Sequence, residues 1–456
     1  MQPIGGWVQR TASAVTGKAR SMIAYADNDS LRWIIIGTHS KLYALTQTGD
    51  TPVDITPVGF TAGNADASSG AGYGIGPYGA DAYGTTRVDS AAIQEASMWT
   101  LDTFGEVTYG IMAADSNLYK WAPPDTGVKA AAVSGAPQGS AVVVTPERFI
   151  FVLGADGDNR KVRWADQESD SDWTPGATDQ AGSLNIESFG KLMCGKRLRG
   201  GTLLWTDQDA HLATYIGLPF VYSIERIGEN CGVISRGAAV VADTRAMWMG
   251  NRRFYAFDGV LRELSCEVHD GVFGDFNYSQ QSKVTAHHEP QFSECWWFYP
   301  CAASTENDRA VVYNYAENTW AMHEIARLSA TPRGVFNNPI MADSSGYLWD
   351  HEVGYIYSGD TPYAESAPYE IGEGDQIMRV KRLIADEKTG GDVSVTFKVS
   401  DWPNMSELSY GPYTLSNPVS VRFAARKARL RIDGVAATGW RWGAPRVEVL
   451  TGGRRG

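Results

Sequence analysis

From Glu294 to Glu324 the chain sets down three short extended runs with turns between them, and a unit of that shape cannot bury both of its faces alone. Cys295–Tyr299 is aromatic, Ala310–Tyr315 is β-branched and aromatic, and Thr319–Met322 ends the set. The connecting residues, Pro300 to Asp308 and Ala316 to Asn318, include Pro, Ser, Asn and Asp, which favour turns over ladders. The pattern predicts an antiparallel meander that must stack on copies of itself.

The rest of the sequence supplies such copies. An apolar run, a Gly or Asp turn and a second apolar or aromatic run recur at Ser21–Leu45, Tyr109–Trp121, Arg148–Trp164, Thr202–Ile216, Ala246–Leu264 and Pro339–Trp349. With the opening meander this makes seven copies between residues 20 and 355, irregularly spaced by roughly 30 to 70 residues. Identity between copies is low, but the order of chemical types repeats. An all-β chain is expected, with a β-propeller of six or seven blades over residues 1–360, because stacked blades leave few edges exposed.

Two stretches interrupt the pattern. Residues 59–90 are rich in Gly, Ala and Tyr and sustain neither a helix nor a central strand. They read as an inserted surface loop or as an arm that grips a neighbouring subunit through Tyr73, Tyr78 and Tyr83. Pro123–Gln138 reads as an ordinary connection. Beyond residue 360 the pattern changes to alternation, in Gln376–Ala385, Asp392–Ser400, Val419–Phe423, Ala428–Ile432 and Arg446–Leu450. These runs predict an appended β-sandwich over 361–456. Its end is locally basic: Arg422, Arg426, Lys427, Arg429, Arg431, Arg441, Arg446, Arg454 and Arg455 stand against Asp433 and Glu448. In a chain of net charge −12, that asymmetry suggests docking against an acidic neighbour, such as a like subunit or an adjoining ring.

Composition bounds the chemistry. The acidic balance excludes a surface that grips nucleic acid everywhere. The five cysteines are scattered and imply no disulfide framework, which suits a reducing compartment, and no apolar run approaches the length of a membrane span or a secretory signal. Cys295 and Cys301 near His287, His288 and Glu289 are too widely spaced for a zinc site. Asp156, Asp158 and Asn159 lack the later bidentate Glu of a calcium loop and fit a hairpin turn. No nucleophile elbow, phosphate loop, paired metal-binding histidines or dinucleotide fingerprint is present. No catalytic residue, metal or cofactor is expected.

Several stretches resemble one family. They are Val312–Trp320, Phe254–Gly259, Val162–Ala165 with Asp172–Trp173, and the ending Ala428–Ile432, Gly439–Gly443, Arg446–Val449 and Gly452–Arg455. They resemble the tail nozzle and packaged-DNA-stabilisation propellers of short-tailed phages. The resemblance implies a structural virion protein, assembled in the host cytoplasm as a hexameric ring beneath the portal and adaptor. Its partners would be copies of itself, the portal and adaptor, tail fibres or tailspikes, and the duplex that it retains and then conducts during ejection. Contact with that duplex should be weak, because many phosphate contacts would stall a moving strand. The competing expectation is a carbohydrate-binding or glycoside-cleaving tail propeller used in host attachment, with Trp296 and Trp297 as stacking candidates. Adjacent residues of one strand face opposite ways, so one of that pair is expected in the core.

Overall fold

The computed structural model describes residues 2–68, 94–124, 126–176, 179–371, 374–402, 404–415, 418–435 and 437–453. They form two compact units, Gln9–Trp349 and Met1–Val8 with Asp350–Gly456. The division therefore falls near residue 350 instead of 360, and the first eight residues belong with the second unit.

The first unit is a β-propeller built from four-stranded antiparallel sheets, each a meander in which neighbours in sequence are neighbours in space. In chain order these are sheet 1 (19–54), sheet 2 (99–132), sheet 3 (141–185), sheet 4 (192–228), sheet 5 (239–264) and sheet 6 (285–323). Sheet 7 holds Ser329–Thr331, Ile340–Ala342 and Leu348–His351 with Trp7–Gln9 as its fourth strand, and the division between the units runs through the last two of these strands. The first strands of successive sheets lie beside one another in a closed cycle, from Ala19–Ala26 round to Ser329–Thr331 and back. Backbone bonds from Arg10 to the Leu348 carbonyl (2.8 Å) and from Leu348 to Thr11 Oγ1 (3.0 Å) tie the start of this unit to its last sheet.

Apolar cores lie between consecutive sheets. Trp33, Trp99 and Trp121 fill the space between sheets 1 and 2; Phe151, Trp164, Leu204 and Tyr222 fill that between 3 and 4. Trp205, Trp248 and Trp297 run through sheets 4, 5 and 6. A buried indole must still satisfy its N–H. Trp99 therefore donates to the Thr38 carbonyl, Trp248 to Cys231 and Trp297 to Ala238, which fixes each sheet against the one before it.

The seam between sheets 6 and 7 is different, because its lining is polar. Thr285, His287 and Glu289 share a strand face with Trp296 and His323. Both ring nitrogens of His287 and Glu289 Oε2 are buried without a hydrogen bond among the described residues, His287 Nε2 lies 3.9 Å from Glu289 Oε2, and His323 stacks on Trp296 at 5.0 Å. Burial pushes the His323 imidazole down to about 4. A histidine depressed in the folded state binds its proton sooner when unfolded, so this stability is present above pH ~6.5 and is lost as the pH falls towards 4. Between pH 7 and pH 5 the urea midpoint should fall by the equivalent of about 1–2 kcal/mol, with a smaller fall in His323→Gln. Equal pH dependence in the two proteins would remove His323 as the cause.

In the second unit, a five-stranded sheet and a three-stranded sheet share one core. Val393–Ser400 pairs with Lys427–Gly434 in the larger, and Met378–Ile384 is central in the smaller. Alternation puts Val395, Phe397, Leu430 and Ile432 inside with Phe423, and a bulge between Val380 and Arg382 keeps both Val380 and Leu383 on the same side. Two strand segments ahead of residue 376, Tyr363–Glu365 and Tyr369–Glu370, pair with Lys427–Gly434, and Leu408–Thr414 adds an edge that sequence alternation does not show. Pro123–Gln138 is likewise not all connection, since Ala131–Ala132 is the outer strand of sheet 2.

Candidate functional site

Where the seven first strands converge on the axis, their backbone groups need partners across each junction. Small hydroxyls and one arginine provide them at every junction. Ser21 donates to the Trp99 carbonyl, Thr100 Oγ1 accepts from Val142 N (3.0 Å), and Ser140 donates to Leu192 (3.3 Å). Arg236 reaches the Met193 carbonyl (2.7 Å) and the Ser140 carbonyl (3.1 Å). Ser235 donates to Val284, Thr285 to Leu328 (2.7 Å), and Ser329 to Ala19 (2.7 Å), which closes the circle.

At the end of the axis where these strands begin, cations gather. Arg20 lies in the first strand of sheet 1; Lys191, Arg236 and Lys283 stand just ahead of the first strands of sheets 4, 5 and 6. Arg20 and Lys283 are fully buried, and Lys191 and Arg236 are half-buried. The acid supplied here by the sheets is Glu306, from the turn between the second and third strands of sheet 6; it lies 2.8 Å from Arg20 and 3.1 Å from Lys283.

The connection from sheet 1 to sheet 2 runs across this end. Thr61 N donates to Asp115 (2.8 Å), Gly63 N to the His39 carbonyl (2.7 Å), and Asp66 meets Lys283 at 2.5 Å. Ala67 exchanges two bonds with the Gln280 amide (3.0 and 2.9 Å). On the way back Glu95 meets Lys191 at 2.5 Å and Ala96 N donates to Ser282 (3.0 Å). The two passes hold each other: Ser68 and Gln94 exchange backbone bonds of 3.0 and 2.9 Å, and Asn64 and Ser97 pair. Gly63 is required by close approach, since a Cβ there would come within 2.3 Å of Ser97. The crossing thus touches sheets 1, 2, 4 and 6 and spans the axial opening.

The charges perturb one another in the expected directions. Burial holds the Arg20 guanidinium below its ordinary value, against the pull of Glu306, and desolvation does the same to Arg236. The bond from Lys283 keeps the Asp66 carboxyl below the usual carboxylate range. Desolvation also lowers His39, whose carbonyl carries the crossing.

The second unit places the sequence-predicted arginines. Arg429 and Arg431 share the outer face of their strand with Lys427, where cross-strand and nearby carboxylates meet them. Arg429 lies 3.1 Å from Glu407 and 3.3 Å from Glu365, Arg431 2.8 Å from Asp433, Lys427 3.4 Å from Glu370, and the neighbouring Lys398 2.6 Å from Glu365. Burial disfavours the Glu365 charge, but bonds from Lys398 and Arg429 outweigh it and its carboxyl sits low. Arg431 also lies 4.0 Å over the Tyr363 ring. Arg426 is buried, donates to the Gly374 carbonyl and lies 4.2 Å over Trp402. Arg446 is exposed, 3.8 Å from Glu387. Arg422 and Arg441 are exposed and form no ion pair among the described residues. The face that looked basic in sequence is therefore balanced by acids from other segments. Tyr73, Tyr78 and Tyr83 lie outside the described residues.

Other sequence candidates have structural partners. Trp296 and Trp297 are both buried, so neither offers a stacking platform. Cys295 lies in the core, and Cys301 donates its thiol to Asp308 at 3.1 Å. Asp156 pairs with Lys161 and Arg163 across a hairpin turn. Asp27 and Asp343 each cap a turn and accept the indole N–H six residues on, from Trp33 and Trp349 at 2.8 Å. Among the described residues no group of three or more His, Cys, Asp or Glu is arranged to hold a metal. The axial cations were missed in the sequence because most first strands were missed. The available signal was a Lys or Arg in or just ahead of the innermost strand in several repeats.

No family model matches the sequence, and no curated protein matches it. Solved structures do. Streptogramin B lyase is 8% identical, with 76% of this chain and 97% of that one covered at a TM-score of 0.45. Virginiamycin B lyase from Staphylococcus aureus is 7% identical over 76% and 97%, at a TM-score of 0.43. The Pan2 WD40 domain of Neurospora crassa is 10% identical over 78% and 98%, also at 0.43.

Proposed function

We propose that this chain is a structural wall of a phage tail: a seven-bladed propeller followed by a β-sandwich, several copies of which form a ring below the portal and adaptor. The ring, a hexamer by the resemblance set out above, retains packaged duplex and conducts it during ejection. The observation that carries this reading is the crossing of residues 61–68 and 94–97 over the propeller's axis. A chain closed along its own axis offers a passage only between copies of itself, as a wall does. The Asp turns support the same reading, since Asp27, Asp156 and Asp343 are engaged in holding hairpins.

The test is assembly mass. Native mass spectrometry of the purified chain, alone and with a portal–adaptor complex, should find a ring of several copies that binds the complex. A monomer that never joins it would sink the reading.

The insertion can be tested separately. Because Ser68 and Gln94 already face each other in an antiparallel bridge, residues 69–93 should be replaceable by a Gly-Asn or Asn-Gly turn. The shortened chain should keep its melting temperature within about 3 °C. If the arm grips a neighbour, the same chain should fail to form rings. Unchanged ring formation would remove the tyrosine arm from the interface.

A further inference from the structure

Arg20, Lys191, Arg236 and Lys283 converge on one end of the axis, and of the carboxylates that meet them only Glu306 comes from the sheets. The other two, Asp66 and Glu95, come from the connection laid across the opening, and among the described residues these three acids pair with three of the four cations. Among the described residues Arg236 is the cation without an ion pair, and its guanidinium donates to two backbone carbonyls. The buried Nε of Arg20 also finds no acceptor among the described residues.

The arrangement is lopsided in depth as well as in charge. Lys283 is fully buried, whereas the Asp66 side chain that faces it is 59% exposed. Cations are fixed by the rigid inner strands beneath, and anions rest on the solvent side. A buried ammonium or guanidinium is unfavourable unless an anion neutralises it, so the sheets by themselves create a demand for negative charge at this point. Two carboxylates some thirty residues apart in sequence meet that demand in the native chain.

We propose that the cation-lined end of the propeller is a binding socket for a linear polyanion bearing adjacent phosphates, and that Asp66 and Glu95 occupy it as the chain's own anions. Lys191 and Arg236, half-buried at the rim, are the groups an incoming phosphate reaches first. Arg20 and Lys283 supply the field beneath. This inference does not depend on the channel reading.

Calorimetric titration of the full chain with inorganic tripolyphosphate tests it. The Asp66→Asn, Glu95→Gln double variant should bind about tenfold more tightly than the unaltered chain, since it no longer carries the competing charges. Adding Lys191→Gln and Arg236→Gln should reverse most of that gain, whereas Arg422→Gln with Arg441→Gln should leave it unchanged. Sulfate at matched ionic strength should not compete. Equal affinity in the double variant and the unaltered chain overturns the socket. So does binding that falls with Arg422 and Arg441 but ignores Lys191 and Arg236. Should the double variant fail to fold, Glu95→Gln alone removes a partly exposed carboxylate bonded to Lys191, and about a threefold gain is then expected. No gain in that variant also overturns the proposal.

Discussion

Replacing Lys283 with methionine should lower the stability of the propeller by about 1–3 kcal/mol, the usual cost of leaving a polar acceptor unsatisfied. The ammonium has no exposed surface and serves three acceptors: Asp66, Glu306 and the Thr305 carbonyl at 2.6 Å. Arg20 would still meet Glu306, but Asp66 would lose its only ion-pair partner among the described residues, and the Thr305 carbonyl would be left without its donor. The informative control is Lys283→Met combined with Asp66→Asn. Removing both members of a pair leaves less uncompensated charge than removing one, so the double variant should recover part of the loss. Urea unfolding measures both. A single variant as stable as the unaltered chain, or a double variant whose losses simply add, would show that the contact contributes little.

The second large effect is expected in the other unit. Arg429→Glu with Arg431→Glu sets two new carboxylates beside Glu365, Glu407 and Asp433, with Lys398 and Lys427 left to oppose them. Individual exposed pairs contribute little, on the order of 0–1 kcal/mol. Reversal does more than delete them, because attraction at about 3 Å becomes repulsion on a partly shielded sheet face; a loss of about 2–4 kcal/mol is expected. Calorimetry should show the transition of the C-terminal unit falling while that of the propeller stays. Arg422→Glu with Arg441→Glu should change stability by no more than about 0.5 kcal/mol, because neither side chain has an ion pair to lose among the described residues. If basic residues of this unit dock the ring, this is the pair whose reversal should abolish assembly without unfolding anything. Normal assembly of a well-folded Arg422→Glu, Arg441→Glu chain would refute the docking role.

The contrast between these two pairs shows what a sequence conceals. Arg429 and Arg431 look unopposed because their acids arrive by pairing: Glu365 lies opposite Arg431 in the register although more than sixty residues separate them. Hairpins are local and were legible; Arg245–Gly250 with Arg253–Phe257, and Glu294–Tyr299 with Arg309–Asn314, follow their apolar runs and turn residues. The innermost strands were not. Thr285–Glu289, with two histidines and a glutamate, and Leu192–Leu198, with Lys196 and Arg197, match no apolar alternation, because His287 and Glu289 line the polar seam towards sheet 7 and Lys196 and Arg197 are exposed. The crossing at the axial end was illegible too, since small residues such as Gly63 and Ala67 acquire meaning only from what they approach.

The fourth strand of sheet 7 has a consequence for synthesis. Trp7–Gln9 is made some 340 residues before its partner Leu348–His351. At ordinary translation rates that interval is roughly 20–70 s. Throughout it the strand has no native place to go, and the last sheet lacks its outer member. Completion of sheet 7 is therefore paced by chain elongation, and slowing the ribosome within residues 10–340 should prolong the protease-sensitive interval without altering the finished product.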